Sequence, residues 1–131
     1  MTSLEKYYNK FNEENRLGRR HGIVEFNTSM KFIHDFIGDR KVKIADIGAG
    51  TGRYSVALSR EGHDVTAVEL IPRNLEALRA KHENVKTWKG DARNMPFLED
   101  ETFDITIMFG PLYHLIPKEE KEKAIKEAAR I

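Results

Sequence analysis

The segment Asp46-Ile47-Gly48-Ala49-Gly50-Thr51-Gly52 constrains this 131-residue chain more than any other. It sets one acid and three alternate glycines between an apolar run at 43–48 and a helix-compatible run at 54–62. Glycine adopts positive φ without strain and lets a ligand approach the backbone. The N-terminus of the following helix offers N–H groups to an anion. A strand, a glycine loop and a helix in this order predict an α/β fold, with a ligand beyond the carboxyl ends of the strands.

The rest of the chain extends that pattern. Residues 64–70, DVTAVEL, are rich in β-branched side chains and read as a second strand. Pro72 suits the first turn of a helix whose body is 73–82. Residues 85–91 form the third strand. The fourth, 103–109, is a near-continuous apolar run, as expected of a strand covered on both faces. Pro117 opens a helix over 118–131 with Ala124, Ile125, Ala128 and Ala129 on one side. Strands alternating with helices predict a parallel sheet with right-handed crossovers and helices on both faces. Ahead of the first strand, 4–17 reads as a polar helix carrying Leu4, Tyr7, Tyr8, Phe11 and Leu17 at roughly helical spacing. A second helix over 24–37 is expected to bury Val24, Met30, Ile33, Phe36 and Ile37.

Composition excludes several functions. There is no cysteine, so disulfides, thiolate–zinc sites and thiol catalysis are absent, which suits a reducing cytoplasm. A formal net charge of +1 gives no general attraction to nucleic acid or an anionic membrane. The five histidines show no metal-ligand spacing. No apolar run approaches membrane-spanning length.

The acids at the predicted strand ends narrow the ligand. A dinucleotide fingerprint, G-x-G-x-x-G, would need glycine at position 53, where the chain has Arg53. The spacing is instead D-x-G-x-G-x-G, beginning at Asp46. Glu69 closes the second strand 17 residues after Gly52, where a carboxylate can accept both hydroxyls of a ribose. By itself it reads equally well as an exposed loop acid. The third strand ends in Lys89-Gly90-Asp91-Ala92-Arg93-Asn94-Met95-Pro96-Phe97. Asp91 alone could simply cap a turn.

Together these segments resemble the class I S-adenosylmethionine-dependent methyltransferases, over nearly the whole chain. The resemblance implies a Rossmann-like parallel sheet of order 3-2-1-4, the first part of a seven-stranded 3-2-1-4-5-7-6 arrangement. It implies that Asp46, Gly48, Ala49, Gly50 and Gly52 hold the methionine end of the cofactor. Loop N–H groups would meet its carboxylate, and loop carbonyls with Asp46 its ammonium. Glu69, followed by Leu70, would take the ribose. Asp91 would take the adenine amino group, and the Ala92 N–H a ring nitrogen. Phe109 would pack beside adenine or ribose, or serve the core. The product would be S-adenosyl-L-homocysteine.

The fourth strand leads into Gly110-Pro111-Leu112-Tyr113-His114-Leu115. Nucleic-acid and protein N-methyltransferases often carry (N/D)-P-P-(Y/F) there. The departure favours a small-molecule acceptor over nucleic acid, with Tyr113 lining its pocket. His114 is either a general base or a packed or solvent-facing histidine. The leader resembles that of a bacterial methyltransferase group in which N-terminal helices cover the cofactor. Residues 1–38 would then be a helical lid, with Tyr8 and Arg16 as its contacts, and 39–131 the cofactor-binding domain. Relatives continue past the last helix with further strands, so the chain is expected to be a short form of the family. An apolar fourth strand at a sheet edge predicts a homodimer. A cofactor-binding module without turnover and a nicotinamide-dependent oxidoreductase remain as alternatives.

Overall fold

The computed structural model describes residues 20–109 and 117–131. In chain order the elements are α1 (Arg20–Ile37), β1 (Lys43–Ile47), α2 (Arg53–Arg60), β2 (Asp64–Glu69), α3 (Pro72–Arg79), β3 (Val85–Lys89), β4 (Ile105–Ile107) and α4 (Lys118–Arg130). The strands form one parallel sheet of order β3-β2-β1-β4, as expected. After β3 the chain crosses to the other side of β1. The order therefore reverses between β1 and β4, and the end of β1 lies at the switch point where ligands of such sheets bind.

Burial follows position in the sheet. β1 and β2 are central and, beyond their first residues, wholly buried, which accounts for their runs of Ile, Ala and Val. β3 alternates between half-buried and exposed residues before ending on exposed ones. β4 departs from expectation. It has three residues, of which Ile107 alone is buried, and Phe109 beyond it is 37% exposed. Among the described residues β4 borders only β1, so its apolar side chains are covered incompletely.

α1 packs Met30, Ile33 and Ile37 against Ile44, Tyr54, Leu58, Val65 and Ile107. Two residues of the expected stripe do not take part: Val24 and Phe36 are 59% and 67% exposed. Phe26, partly buried against this cluster, holds the inward position instead. The buried positions step by 4, 3 and 4 residues from Phe26 to Ile37, a true helical face, and Val24 and Phe36 fall off it.

α4 is tied to the long loop between β3 and β4. Ile131 is buried with Ala45, Ile47, Val68, Met95 and Leu98, and its carbonyl accepts the N–H groups of Thr102 and Phe103. Arg130 donates to the carbonyls of Met95 and Leu98, and Glu127 accepts the Met95 N–H at 2.6 Å. Of the side expected to be apolar, Ala124 is buried and Ala128 half-buried, while Ile125 and Ala129 are exposed. Hydrogen bonds from Glu127 and Arg130 to the 95–98 loop join these apolar contacts.

Candidate functional site

The ends of β1, β2 and β3 meet through backbone hydrogen bonds. The N–H groups of Gly48 and Ala49 both donate to the Val68 carbonyl, at 2.8 and 3.1 Å, and Gly90 donates to the carbonyl of Glu69. Three loops of distant sequence are thereby stitched into one rim. Gly48, Gly50 and Gly52 have φ of 72°, 62° and 87°, the left-handed region that glycine adopts most easily. Gly52 also lies so close to Leu78 that a Cβ would sit 2.2 Å from its Cδ1.

Asp46 is buried at this rim. Ser55 Oγ donates to its Oδ2 at 2.6 Å, and the Ser55 backbone N–H donates to the same carboxylate. The acid therefore caps the first turn of α2, where the aligned backbone dipoles favour negative charge. Even so, burial pushes its pKa up to about 6, with the Glu69 charge acting in the same direction. Glu69 is 4% exposed. Its two oxygens accept the N–H of Gly50 at 2.8 Å and of Ile71 at 2.9 Å. One carboxylate thus anchors the glycine loop and the entry to α3 together.

This geometry qualifies one expectation. Loop N–H groups were expected to meet a ligand carboxylate, yet those of Gly48, Ala49, Gly50 and Gly52 are all taken by protein acceptors. Gly52 donates to the Ala49 carbonyl. The loop is tighter than a glycine count suggests, because Glu69, the Val68 carbonyl and the loop's own Ala49 carbonyl consume its donors.

Asp91 follows β3 with its side chain 30% exposed. It accepts from the backbone N–H and the guanidinium of Arg93. That pairing holds its carboxyl below the usual carboxylate range. Ala92 is partly buried against the Met95 and Leu98 cluster. Leu70 is half-buried between Glu69 and Ile71. Phe109 lies against Tyr54, ring centroids 4.8 Å apart, and Tyr54 against Phe26 at 5.0 Å. The Arg53 guanidinium lies 4.5 Å from the centroid of the Phe26 ring. The residue that breaks the dinucleotide fingerprint thus joins the glycine loop to α1. Tyr8, Arg16, Tyr113 and His114 lie outside the described residues.

Ser55, Tyr54 and Arg93 are missing from the residues that spacing picks out. Ser55 lies nine positions after Asp46, just inside the helix, where a hydroxyl is an ordinary capping partner. That offset was the available signal.

The donor set tests the expected ligand. Two buried carboxylates, one with its pKa raised partly by the other, favour a cation near them. A less buried carboxylate on the next loop suits a neutral amino donor. Both features match the ammonium and adenine amino groups of S-adenosylmethionine.

Comparison with known proteins agrees. A family model described as a methyltransferase domain matches residues 44–131. The chain belongs to this methyltransferase family. An uncharacterized methyltransferase of Mycobacterium tuberculosis is 34% identical over 89 residues, covering 68% of this chain and 35% of that protein. The PH0226 protein of Pyrococcus horikoshii shares the fold, with a TM-score of 0.81 at 24% identity over 95% of this chain and 59% of that one. A SAM-dependent methyltransferase of Thermotoga maritima is 35% identical over 70% of this chain and 40% of that one, with a TM-score of 0.57. S-adenosylmethionine is the cofactor of such methyltransferases. The chain spans about a third of the length of curated methyltransferases it matches.

Proposed function

We propose that this chain binds S-adenosylmethionine at the joined ends of β1, β2 and β3 and serves methyl transfer to a small-molecule acceptor. The supporting observation is the set of three carboxylates, Asp46, Glu69 and Asp91, on three adjacent strand ends around a positive-φ glycine loop. Asp46 with the carbonyls of the 48–52 loop would hold the ammonium. Glu69 would accept ribose hydroxyls. Asp91 and the Ala92 N–H would hold adenine, with Leu70 and Phe109 as apolar walls.

The bound cofactor supplies an activated methyl group on a sulfonium. The protein's part is to position it and exclude water. Tyr113 would line the acceptor pocket, and His114 would receive a proton from an acceptor that arrives protonated. Of the expected lid, 1–38, α1 is fixed in the core by Met30, Ile33 and Ile37, so only the residues before it, with Tyr8 and Arg16, would close over the site. The G-P-L-Y sequence at 110–113 and the near-neutral charge favour a small acceptor over nucleic acid. The absence of cysteine suits a cytoplasmic protein, and among the described residues no helix is long and apolar enough to cross a membrane.

Calorimetry with S-adenosylmethionine and S-adenosylhomocysteine tests binding, and release of labelled methyl to a panel of small hydroxyl, amine and thiol acceptors tests turnover. Saturable binding of both ligands is expected. Binding of NADH in competition with them would favour the oxidoreductase instead. A second reading is a binding module without turnover. Tight binding with no transfer to any acceptor would select it. The β4 edge, which among the described residues borders only β1, would pair two protomers, and light scattering that finds only monomer at high concentration would dismiss that dimer.

A further inference from the structure

The turn after β3 rests on an aromatic side chain that the reading above leaves without a role. A Cβ placed on Gly90 would lie 2.4 Å from Phe97 Cζ, 2.8 Å from its Cε1 and 3.3 Å from Val68 Cγ1. Gly90 does not share the positive φ of the 48–52 glycines, so glycine stands here for close approach and not for backbone shape. The ring is not free to retreat. It stacks on Trp88, with centroids 5.1 Å and planes 27° apart, and it packs against the cluster of Ala45, Ile47, Val68 and Met95. Phe97 is thus held from two further sides while it touches the backbone of Gly90.

The backbone it touches leads straight into the turn expected to meet the base. Asp91 and Asn94 form an isolated antiparallel bridge, in which the Asn94 N–H donates to the Asp91 carbonyl at 3.0 Å. Gly90 donates to the Glu69 carbonyl at 3.2 Å, and the N–H groups of Arg93 and Met95 donate to carboxylates. The Ala92 N–H, between them, meets no acceptor among the described residues. It contrasts with the glycine loop, whose donors are taken. A hydrogen bond weakens steeply once its distance and angle drift, so a donor left for a ligand must be held in place. Here the anchor is Gly90, two residues earlier, and Gly90 lies on Phe97.

We propose that Phe97 is a positioning residue for the adenine end of the cofactor: seated against Gly90 and braced by Trp88, it fixes the turn that presents the Ala92 N–H to a ring nitrogen. This rests on the reading that the turn after β3 faces the purine. Leucine at position 97 lacks the ring atoms nearest Gly90, so the turn would lose its support. Alanine at position 90 would drive its methyl group into the ring and displace the turn. Combined, the two changes relieve each other, because the shorter side chain leaves room for the added methyl.

The test is calorimetry with S-adenosylhomocysteine on the full chain carrying F97L, G90A or both, with amide hydrogen exchange on each protein. Each single variant is expected to weaken binding about three- to tenfold, the scale of one hydrogen bond. F97L/G90A should bind more tightly than the product of the single losses requires. Exchange should quicken at Asn94 in the single variants, while the Gly50 and Ile71 amides, held by Glu69, keep their wild-type protection. Thermal melting checks folding. If G90A does not fold, W88L takes its place: it removes the brace at a side chain 45% exposed and should weaken binding less than F97L does. Wild-type affinity in folded F97L, losses that simply multiply in the double variant, or protection lost equally at all three amides overturns the proposal while leaving the methyltransferase reading intact. Failure of the wild type to bind S-adenosylhomocysteine overturns both.

Discussion

Asp46 is folded at a cost. Its pKa rises from an ordinary value of 3.8 in an exposed chain to about 6 in the fold. Between those values the folded state binds more protons than the unfolded one, so the stability linked to this group falls as pH rises from about 4 through 6. Asparagine at this position keeps an acceptor for the Ser55 hydroxyl and carries no charge. D46N is therefore expected to melt higher than the wild type at pH 7.5, with a gain of up to ~3 kcal/mol that shrinks toward pH 4. Denaturation of both proteins across that range checks it. The same variant should lose binding of S-adenosylmethionine, as expected of a carboxylate kept for a ligand rather than for stability. Gly52 behaves oppositely. At φ 87°, with Leu78 fully packed beside it, alanine would be strained and overcrowded. G52A should destabilise by roughly 2–4 kcal/mol, read as a lowered urea midpoint with an unchanged slope.

At the scale of the element, α1 divides sharply into two faces. Ile33 is 6% exposed and Phe36 67% exposed, although both are large and apolar. I33A should cost about 2–4 kcal/mol and F36A less than about 1 kcal/mol, by chemical denaturation. Equal losses would mean that the helix packs on a different face. The contrast also shows how much of each element was legible beforehand. The strand–helix alternation and the glycine loop could be read in advance, because local propensity and turn chemistry agree along this part of the chain, and the sheet order followed from the family resemblance. The face of α1 was misjudged by taking Val24 and Phe36 and passing over Phe26, which continues the helical spacing of Met30, Ile33 and Ile37. The side of α4 was misjudged because alanine suits buried and exposed positions alike. The roles of Ser55 and Arg93 were not legible, since each depends on a partner distance that composition does not carry. E127Q weakens an acceptor shared by the Met95 N–H and Arg130, so the Met95 amide should exchange its hydrogen faster than in the wild type.

Across the whole molecule, the described residues cover one face of the sheet with α1 and, on the other face, tie the 95–98 loop to α4 through Glu127 and Arg130. The rim between them is assembled mostly from loops. A ligand that bridges these loops should stabilise the entire fold. At a hundredfold excess over its dissociation constant, S-adenosylhomocysteine should add ~2.7 kcal/mol, and the melting temperature should climb with ligand concentration. A flat melting curve across that titration would mean that no such bridge forms.

Glu69 carries a warning for anyone who mutates this rim. Its two oxygens already fasten Gly50 and Ile71, so the carboxylate is a structural clasp whether or not a sugar ever reaches it. Removing it would slacken two loops at once, and a dead variant would say nothing about which duty had been lost. Blame can be assigned only by altering the visitor instead of the host, with a cofactor analogue lacking one ribose hydroxyl offered to an intact protein.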